Sequence, residues 1–260
     1  MLAEYQKRRL YFAVGGITVT LNFAHRGFSG QFPENTMLAF EKAVEAGADG
    51  IELDVQFSKD GELVIMHDET LNRTAGVDGF VKDYTLEQLK AMDVSGKWGE
   101  RYGSMEIPTL REYFEHFKDL PVITNIELKT GIFPYPGIEK RTLEMIREYE
   151  LENKVIISSF NHYSCLKMKE LDEKIPCGLL EESWIVGAGK YGRKLGMDFL
   201  HPAYPMVTES YVQDAADHGL KVNTWTVNDW DSMEYFTKIG VNAIIGNFPD
   251  LAEKALNPYR

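Results

Sequence analysis

Short apolar runs in this chain end in the side chains of acids, histidines, an arginine and a lysine. The run Gly50-Ile51-Glu52-Leu53-Asp54-Val55 alternates acid with aliphatic, and so does Asn125-Ile126-Glu127-Leu128-Lys129. Successive side chains of a strand point to opposite faces, so Glu52 and Asp54 share one face, as do Glu127 and Lys129. Two carboxylates about 4 Å apart repel by roughly 4 kcal/mol at an effective dielectric near 20. Protons or a cation must relieve that repulsion. Three oxygen donors without cysteine suit one hard divalent ion, Mg²⁺ or Ca²⁺, with water completing its shell. The competing reading is salt bridging to Arg26 and Lys129, but two cations do not balance three carboxylates. Two more apolar runs end in histidine, Ala24-His25-Arg26-Gly27 and Met66-His67-Asp68. Imidazole is the natural acid and base near neutral pH. A metal, two histidines, an arginine and a lysine together describe phosphoryl chemistry. The cations neutralise the anion, and the histidines move protons to and from the attacking and leaving oxygens.

Such groups meet only if the elements carrying them converge. Strand candidates are Asn22–His25, Gly50–Phe57, Val122–Leu128, Val155–Phe160, Cys177–Leu180, Asp198–His201, Lys221–Val227 and Ala243–Ile245. Amphipathic helical patterns lie between them, among them Glu34–Ala46, Thr109–Phe117, Ile138–Glu150 and Thr208–His218. Gly47 falls where a left-handed C-cap belongs, and Thr208 reads as an N-cap. Eight strands alternating with helices imply a parallel sheet, and this length suits an α/β fold of the TIM (β/α)₈ barrel type. A doubly wound open sheet is the alternative, but no Gly-x-Gly-x-x-Gly follows the first strand. Glu62–Met66 reads as an additional strand, and the polar, Gly-rich segment 68–108 as a small inserted subdomain after the second barrel strand. Insertions at strand C-terminal ends cap barrel active sites.

The chain has 260 residues and a formal net charge of −12, with 44% hydrophobic and 12% aromatic residues. Wholesale disorder is excluded by that apolar content. The acidic balance disfavours nucleic acid and anionic membrane surfaces, which need clustered Lys and Arg. Cys165 and Cys177 are too few for a disulfide framework or a cysteine zinc site, and they read as small buried hydrophobes in a reducing compartment. Residues 1–21 are expected to form a dispensable N-terminal extension over the barrel floor, ahead of a barrel domain spanning 22–257. Lys7, Arg8 and Arg9 followed by the uncharged stretch Leu10–Leu21 mimic a signal peptide, but the stretch is short for a membrane span and no small-x-small site follows it. A variant reading places the true start at Val19, with Gly15-Gly16 translated from a ribosome-binding site; a gene lacking GTG at that codon ends it.

The ordered set of motifs carries a family resemblance. HRG (25–27), PENT (33–36), GAD-x-IELDV (47–55), KDG (59–61) and HDETLNRT (67–74) open it. IELK (126–129), SSF (158–160), VNTWTVN (222–228) and NFPD (247–250) complete it, so it spans about residues 22–250. In this joint order the chain resembles the glycerophosphodiester phosphodiesterase family. The resemblance implies a (β/α)₈ barrel with a small inserted subdomain and hydrolysis of glycerophosphodiesters to sn-glycerol 3-phosphate and an alcohol. It implies that Glu52, Asp54 and Glu127 hold the divalent ion and that His25 and His67 are the acid–base pair. Arg26 would clamp the phosphate, Lys129 would stabilise its negative charge, and Trp225 would pack on the glycerol or flank the phosphate. Thr130–Gly137, Trp184, His201, Tyr204 and Phe248 are expected to line the alcohol side of the mouth, with His201 either touching substrate or structural. His116, His162 and His218 read as surface residues in or beside helices. The chain departs from the family at Ser58 and Ala75, where threonines are usual, and at Gly246, where a threonine often stands.

Three functions compete. The first is a metal-dependent phosphodiesterase of the cytoplasm, acting on a small-molecule glycerophosphodiester, without nucleic acid or stable membrane insertion, as a monomer or homodimer. The second is a non-catalytic phosphodiester-binding barrel, which has no need of both His25 and His67. The third keeps the fold as a lysophospholipase D or a cyclic-phosphate-forming lyase, with Phe133, Tyr135 and Trp184 available to an apolar chain.

Overall fold

Parallel strands that can bury side chains on both faces close on themselves when helices cover the outside. The computed structural model describes residues 19–260, and its strands are β1 (Leu21–His25), β2 (Gly50–Phe57), β3 (Leu63–Ile65), β4 (Ile123–Leu128), β5 (Val155–Ser159), β6 (Cys177–Glu181), β7 (Phe199–Pro202), β8 (Lys221–Trp225) and β9 (Ala243–Gly246). Their order is β1-β9-β8-β7-β6-β5-β4-β2, and a β1–β2 pairing closes the ring. Every ring pairing is parallel, whereas β3 runs antiparallel to β2 outside the ring. The fold is a (β/α)₈ barrel.

Helices α1 (Met37–Glu45), α2 (Leu110–Phe117), α3 (Ile138–Glu148), α4 (His162–Leu171), α5 (Ala188–Lys194), α6 (Glu209–Asp217), α7 (Trp230–Lys238) and α8 (Pro249–Leu256) alternate with the ring strands. The first begins later than its amphipathic pattern, because the side chain of Thr36 caps it by accepting from Ala39 N. Glu34 and Asn35 are thereby left in the β1–α1 loop, free to turn toward the barrel mouth. Gly47 has φ +87° and ends that helix as expected; the Thr208 hydroxyl caps α6 through Tyr211 N.

Two apolar layers hold the barrel. The larger lies between strands and helices and includes Ile51, Leu53, Val55, Ile126 and Leu128. A smaller one fills the barrel interior with Phe23, Ile156, Phe199, Ala243 and Ile245. The segment 68–108 holds short helical turns at Asn72–Ala75, Val81–Asp83, Leu86–Lys90, Gly96–Trp98 and Gly99–Tyr102. These cluster around Val64, Met66, Leu71, Val81, Leu89, Val94 and Ile107, a small core separate from the other two.

Most of the expected N-terminal extension lies outside the described residues. Leu21, placed in that extension, is the first residue of β1 and pairs with Ala243, while the Thr20 hydroxyl donates to Val241 O at 2.9 Å. Both cysteines are free and buried. No helix among the described residues is long and apolar enough to cross a membrane.

Candidate active site

Barrel register brings the acids together. β2 and β4 pair with Glu52 opposite Asn125 and Asp54 opposite Glu127, and β1 pairs His25 with Glu52. All three carboxylates are buried, and one oxygen from each lies within 4.8 Å of the others. Lys129 Nζ stands 2.8 Å from Glu127 Oε1 and 3.8 Å from Asp54 Oδ1. Arg26 Nε lies 3.5 Å from Asp54 Oδ2, Asn35 Nδ2 donates to that same oxygen at 2.8 Å, and Arg26 N donates to Glu52 Oε2 at 3.0 Å.

Two cations shared among three acids leave an imbalance. Burial pushes Asp54 upward, but the charges of Arg26 and Lys129 outweigh it and hold the group at about 2. Burial, then the charges of Asp54 and Glu127, raise Glu52 well above the usual carboxylate range. Burial and the Asp54 charge bring Glu127 to about 7 against the pull of Lys129. Asp54 Oδ1 accepts no hydrogen bond although it is buried. An all-oxygen, buried, under-neutralised triad fits a divalent cation.

Each histidine is oriented by a different kind of partner. His25 Nδ1 lies 2.7 Å from Asn247 Oδ1, an amide oxygen that also accepts from Ser29 Oγ at 3.1 Å. An amide oxygen only accepts, so Nδ1 carries the proton and Nε2, 4.0 Å from Glu52 Oε2, is the bare nitrogen. Burial, followed by the charge of Arg26, lowers this imidazole to about 4, so it is neutral near pH 7. His67 Nδ1 instead lies 2.6 Å from Asp68 Oδ1, a carboxylate oxygen that only accepts, so Nδ1 carries a proton and the ring is oriented by an anion rather than an amide. Its backbone is clamped by Gln56, whose Nε2 donates to Met66 O at 2.9 Å and Asp68 O at 2.8 Å. Tyr135 OH in turn donates to Gln56 Oε1 at 2.9 Å.

These groups surround a cavity of about 40 Å³ at the strand ends, bordered by His25, Arg26, Glu52, His67, Glu127 and Trp225. Asp54 and Lys129 adjoin it through their contacts with Glu127 and Arg26. Trp225 Nε1 donates to His201 O at 2.8 Å, and its ring meets Phe160 edge-on at 5.6 Å. Sequence reasoning passed over Asn125, Ser158, Phe160, Leu180 and Ile245, which also border the cavity. It also missed Asn35, Asn247 and Asp68 as partners, although all three lie inside motifs it had singled out.

Several expectations about the mouth need correction. For His201 the structural one of its two readings holds: it is fully buried and bonds through Nε2 to Asn223 Nδ2 at 3.0 Å inside the barrel. Within 130–137, Thr130 and Tyr135 are buried and turned to Ser164 and Gln56, whereas Ile132 is exposed. Phe248 packs beside Gly30 and the large core. His162 is not a free surface residue: its ring nitrogens meet Tyr191 OH and Leu180 O, each at 3.0 Å.

A parallel barrel with a buried carboxylate triad flanked by two oriented histidines defines a (β/α)₈ enzyme whose reaction centre fits a divalent cation. The sequence profile described as the Glycerophosphoryl diester phosphodiesterase family matches residues 25–251, and the chain belongs to that family. It is 46% identical over 231 residues to a glycerophosphodiester phosphodiesterase of Caldanaerobacter subterraneus subsp. tengcongensis, covering 89% of this chain and 95% of the relative. A Bacillus altitudinis glycerophosphodiester phosphodiesterase is 41% identical, over 91% of this chain and 98% of its own. Among solved structures, an Oleispira antarctica phosphodiesterase in complex with the product sn-glycerol-3-phosphate superposes with a TM-score of 0.83 at 30% identity, covering 90% of this chain and 96% of that one.

Proposed function

We propose that this chain hydrolyses glycerophosphodiesters to sn-glycerol 3-phosphate and an alcohol with His25 as base and His67 as acid. The observation that carries the reading is the opposite backing of the two imidazoles across the triad, amide for His25 and carboxylate for His67. The Oleispira relative's complex with sn-glycerol-3-phosphate supports the glycerol phosphate half of the substrate. Glu52, Asp54 and Glu127 would hold one divalent cation, Mg²⁺ or Ca²⁺, whose charge draws in a phosphate oxygen and stabilises negative charge there.

His25 takes a proton through Nε2 from the nucleophile, either water or the glycerol 2-hydroxyl. The new P–O bond forms as the bond to the alcohol breaks, and His67 gives its Nε2 proton to that departing oxygen. Water attack yields sn-glycerol 3-phosphate directly. Attack by the 2-hydroxyl yields a cyclic phosphate that water then opens, His67 taking the water's proton and His25 returning its proton to the 2-oxygen as that P–O bond breaks. Arg26 and Lys129 offset charge on the phosphate oxygens, and Trp225 with Phe160 walls the cavity against bulk water. A reducing compartment suits the two free, buried cysteines, and the cytoplasm is the compartment we assign.

The test is release of glycerol 3-phosphate from glycerophosphocholine by EDTA-stripped protein, with Mg²⁺ or Ca²⁺ restored separately. Turnover should vanish on stripping and return with one ion or both. Undiminished turnover after stripping would remove the cation from the reading. One observation favours a second substrate class. Ile132, Trp184 and Val186 are strongly exposed on the loops after β4 and β6, where an acyl chain would leave the mouth. Lysophosphatidylcholine turned over faster than glycerophosphocholine would make this a lysophospholipase D.

A further inference from the structure

Arg73 lies on the helical turn Asn72–Ala75 of the inserted segment, and its guanidinium spans two carboxylates. Nε donates to Asp68 Oδ2 at 2.6 Å and NH2 to Asp68 Oδ1 at 3.0 Å. NH1 donates to Glu34 Oε2 at 2.8 Å, and NH2 reaches Glu34 Oε1 at 2.7 Å. Glu34 sits in the β1–α1 loop and accepts at Oε1 from Arg26 NH1 as well, at 3.0 Å. A continuous series of charged contacts therefore runs from His67 through Asp68, Arg73 and Glu34 to Arg26, joining the inserted segment to the β1–α1 loop.

We infer that Arg73, anchored by Glu34, is a positioning residue, a strap that holds the Asp68 carboxylate and through it the His67 ring beside the phosphate. The inference rests on the reading of His67 as the acid that protonates the leaving alcohol. Only a planar guanidinium can present parallel N–H pairs to two carboxylates at once; an ammonium is a single point charge. Arg73 is half exposed, and exposed ion pairs add little to folding stability. What its geometry does fix is the Asp68 carboxylate, and with it the tilt of the His67 ring. The hydrogen bond from His67, helped by Arg73, keeps Asp68 well below the usual carboxylate range, so the acceptor remains ionised and the His67 tautomer is set. Arg111 makes an equally forked, exposed pair with Glu148 on the flank of the barrel and serves as the matched control.

A leaving group that needs no proton reports on the acid alone. The experiment measures kcat, KM and the thermal midpoint for wild type, R73K, H67A and R111K, with glycerophosphocholine and with the p-nitrophenyl diester of glycerol phosphate. R73K should lower kcat on glycerophosphocholine about 10–100-fold, the range for removing an orienting outer partner. It should lower kcat on the p-nitrophenyl ester far less, with KM and the midpoint close to wild type, and R111K should alter neither rate. An equal loss on both substrates, or none, while H67A keeps its leaving-group preference, overturns the strap and spares the acid assignment. An H67A variant without that preference overturns the acid assignment and the inference with it. Should R73K melt far below wild type, D68N puts the same question from the other end of the strap. A loss concentrated on glycerophosphocholine then supports the strap, and an equal loss on both substrates, or none, overturns it.

Discussion

Glu52 has the least help of the three acids, since neither Arg26 nor Lys129 makes an ion pair with it and its main donor is a backbone amide. A carboxyl whose folded pKa is raised by burial costs stability above its unfolded pKa, near 4.3. Glu52→Gln should therefore raise the urea midpoint of the metal-stripped protein near pH 7. It should also lower ion-restored activity by more than the 10–100-fold typical of outer-shell changes. Denaturation in EDTA and activity with added ion read the two effects separately; a lower midpoint would mean the carboxylate is held by its neighbours. The histidines show how much single residues reveal on their own. Their positions at strand ends were legible, because an apolar run ending in a polar side chain is a local pattern. The division of labour proposed for them was not. It depends on Asn247, 222 residues from His25, and on the side-chain geometry of Asp68.

Strands were the most legible elements, because alternation survives in short windows, and Gly50–Phe57 has the bounds the pattern implied. The ends that moved did so for local reasons. β8 stops at Trp225 rather than Val227, where Val227 N turns back to Ile245 O at 3.0 Å. The inserted segment read as irregular because helical pieces of four or five residues carry no period. Its small core pairs residues from opposite ends of the insertion, which no window joins. Gly246, a departure from the family's usual threonine, has a steric reason. A Cβ there would lie 2.2 Å from Val227 O, so β9 and the β8–α7 loop approach as closely as they do only with glycine. The next residue is Asn247, which holds His25. Gly246→Ala should cost about 1–3 kcal/mol as overpacking and should lower kcat through displacement of that amide. Chemical denaturation and steady-state rates with glycerophosphocholine check the pair. Unchanged values for both would show that the loop yields freely and that Asn247 is positioned independently of it.

The barrel interior couples the fold to pH. Below the reaction centre it carries a polar seam in which Asn242 Nδ2 donates to Asn223 Oδ1 at 2.7 Å and Asn223 Nδ2 to His201 Nε2 at 3.0 Å. Asn242 thus fixes the Asn223 amide with its nitrogen toward the imidazole, so Nε2 must remain a bare acceptor. Protonating His201 would set two donors against each other at a fully buried position. Burial lowers this histidine to about 3, against roughly 6.5 when unfolded. Between those values the unfolded chain binds the extra proton, so the contribution of His201 is complete above about pH 6.5 and shrinks as pH falls. Near pH 4.5 the loss amounts to about 2–3 kcal/mol. Glu52 and Glu127 act in the opposite sense, since their raised values favour protonation in the folded state. A single acid curve therefore mixes the two. The difference between wild type and His201→Gln, which retains an acceptor for Asn223, separates them. From about pH 7.5 to pH 4.5 the glutamine variant should gain about 2–3 kcal/mol relative to wild type in urea unfolding. Parallel curves would mean that water reaches the unpartnered Nδ1 of His201 and lets it titrate normally, making the polar seam a hydrated channel beneath the catalytic cavity.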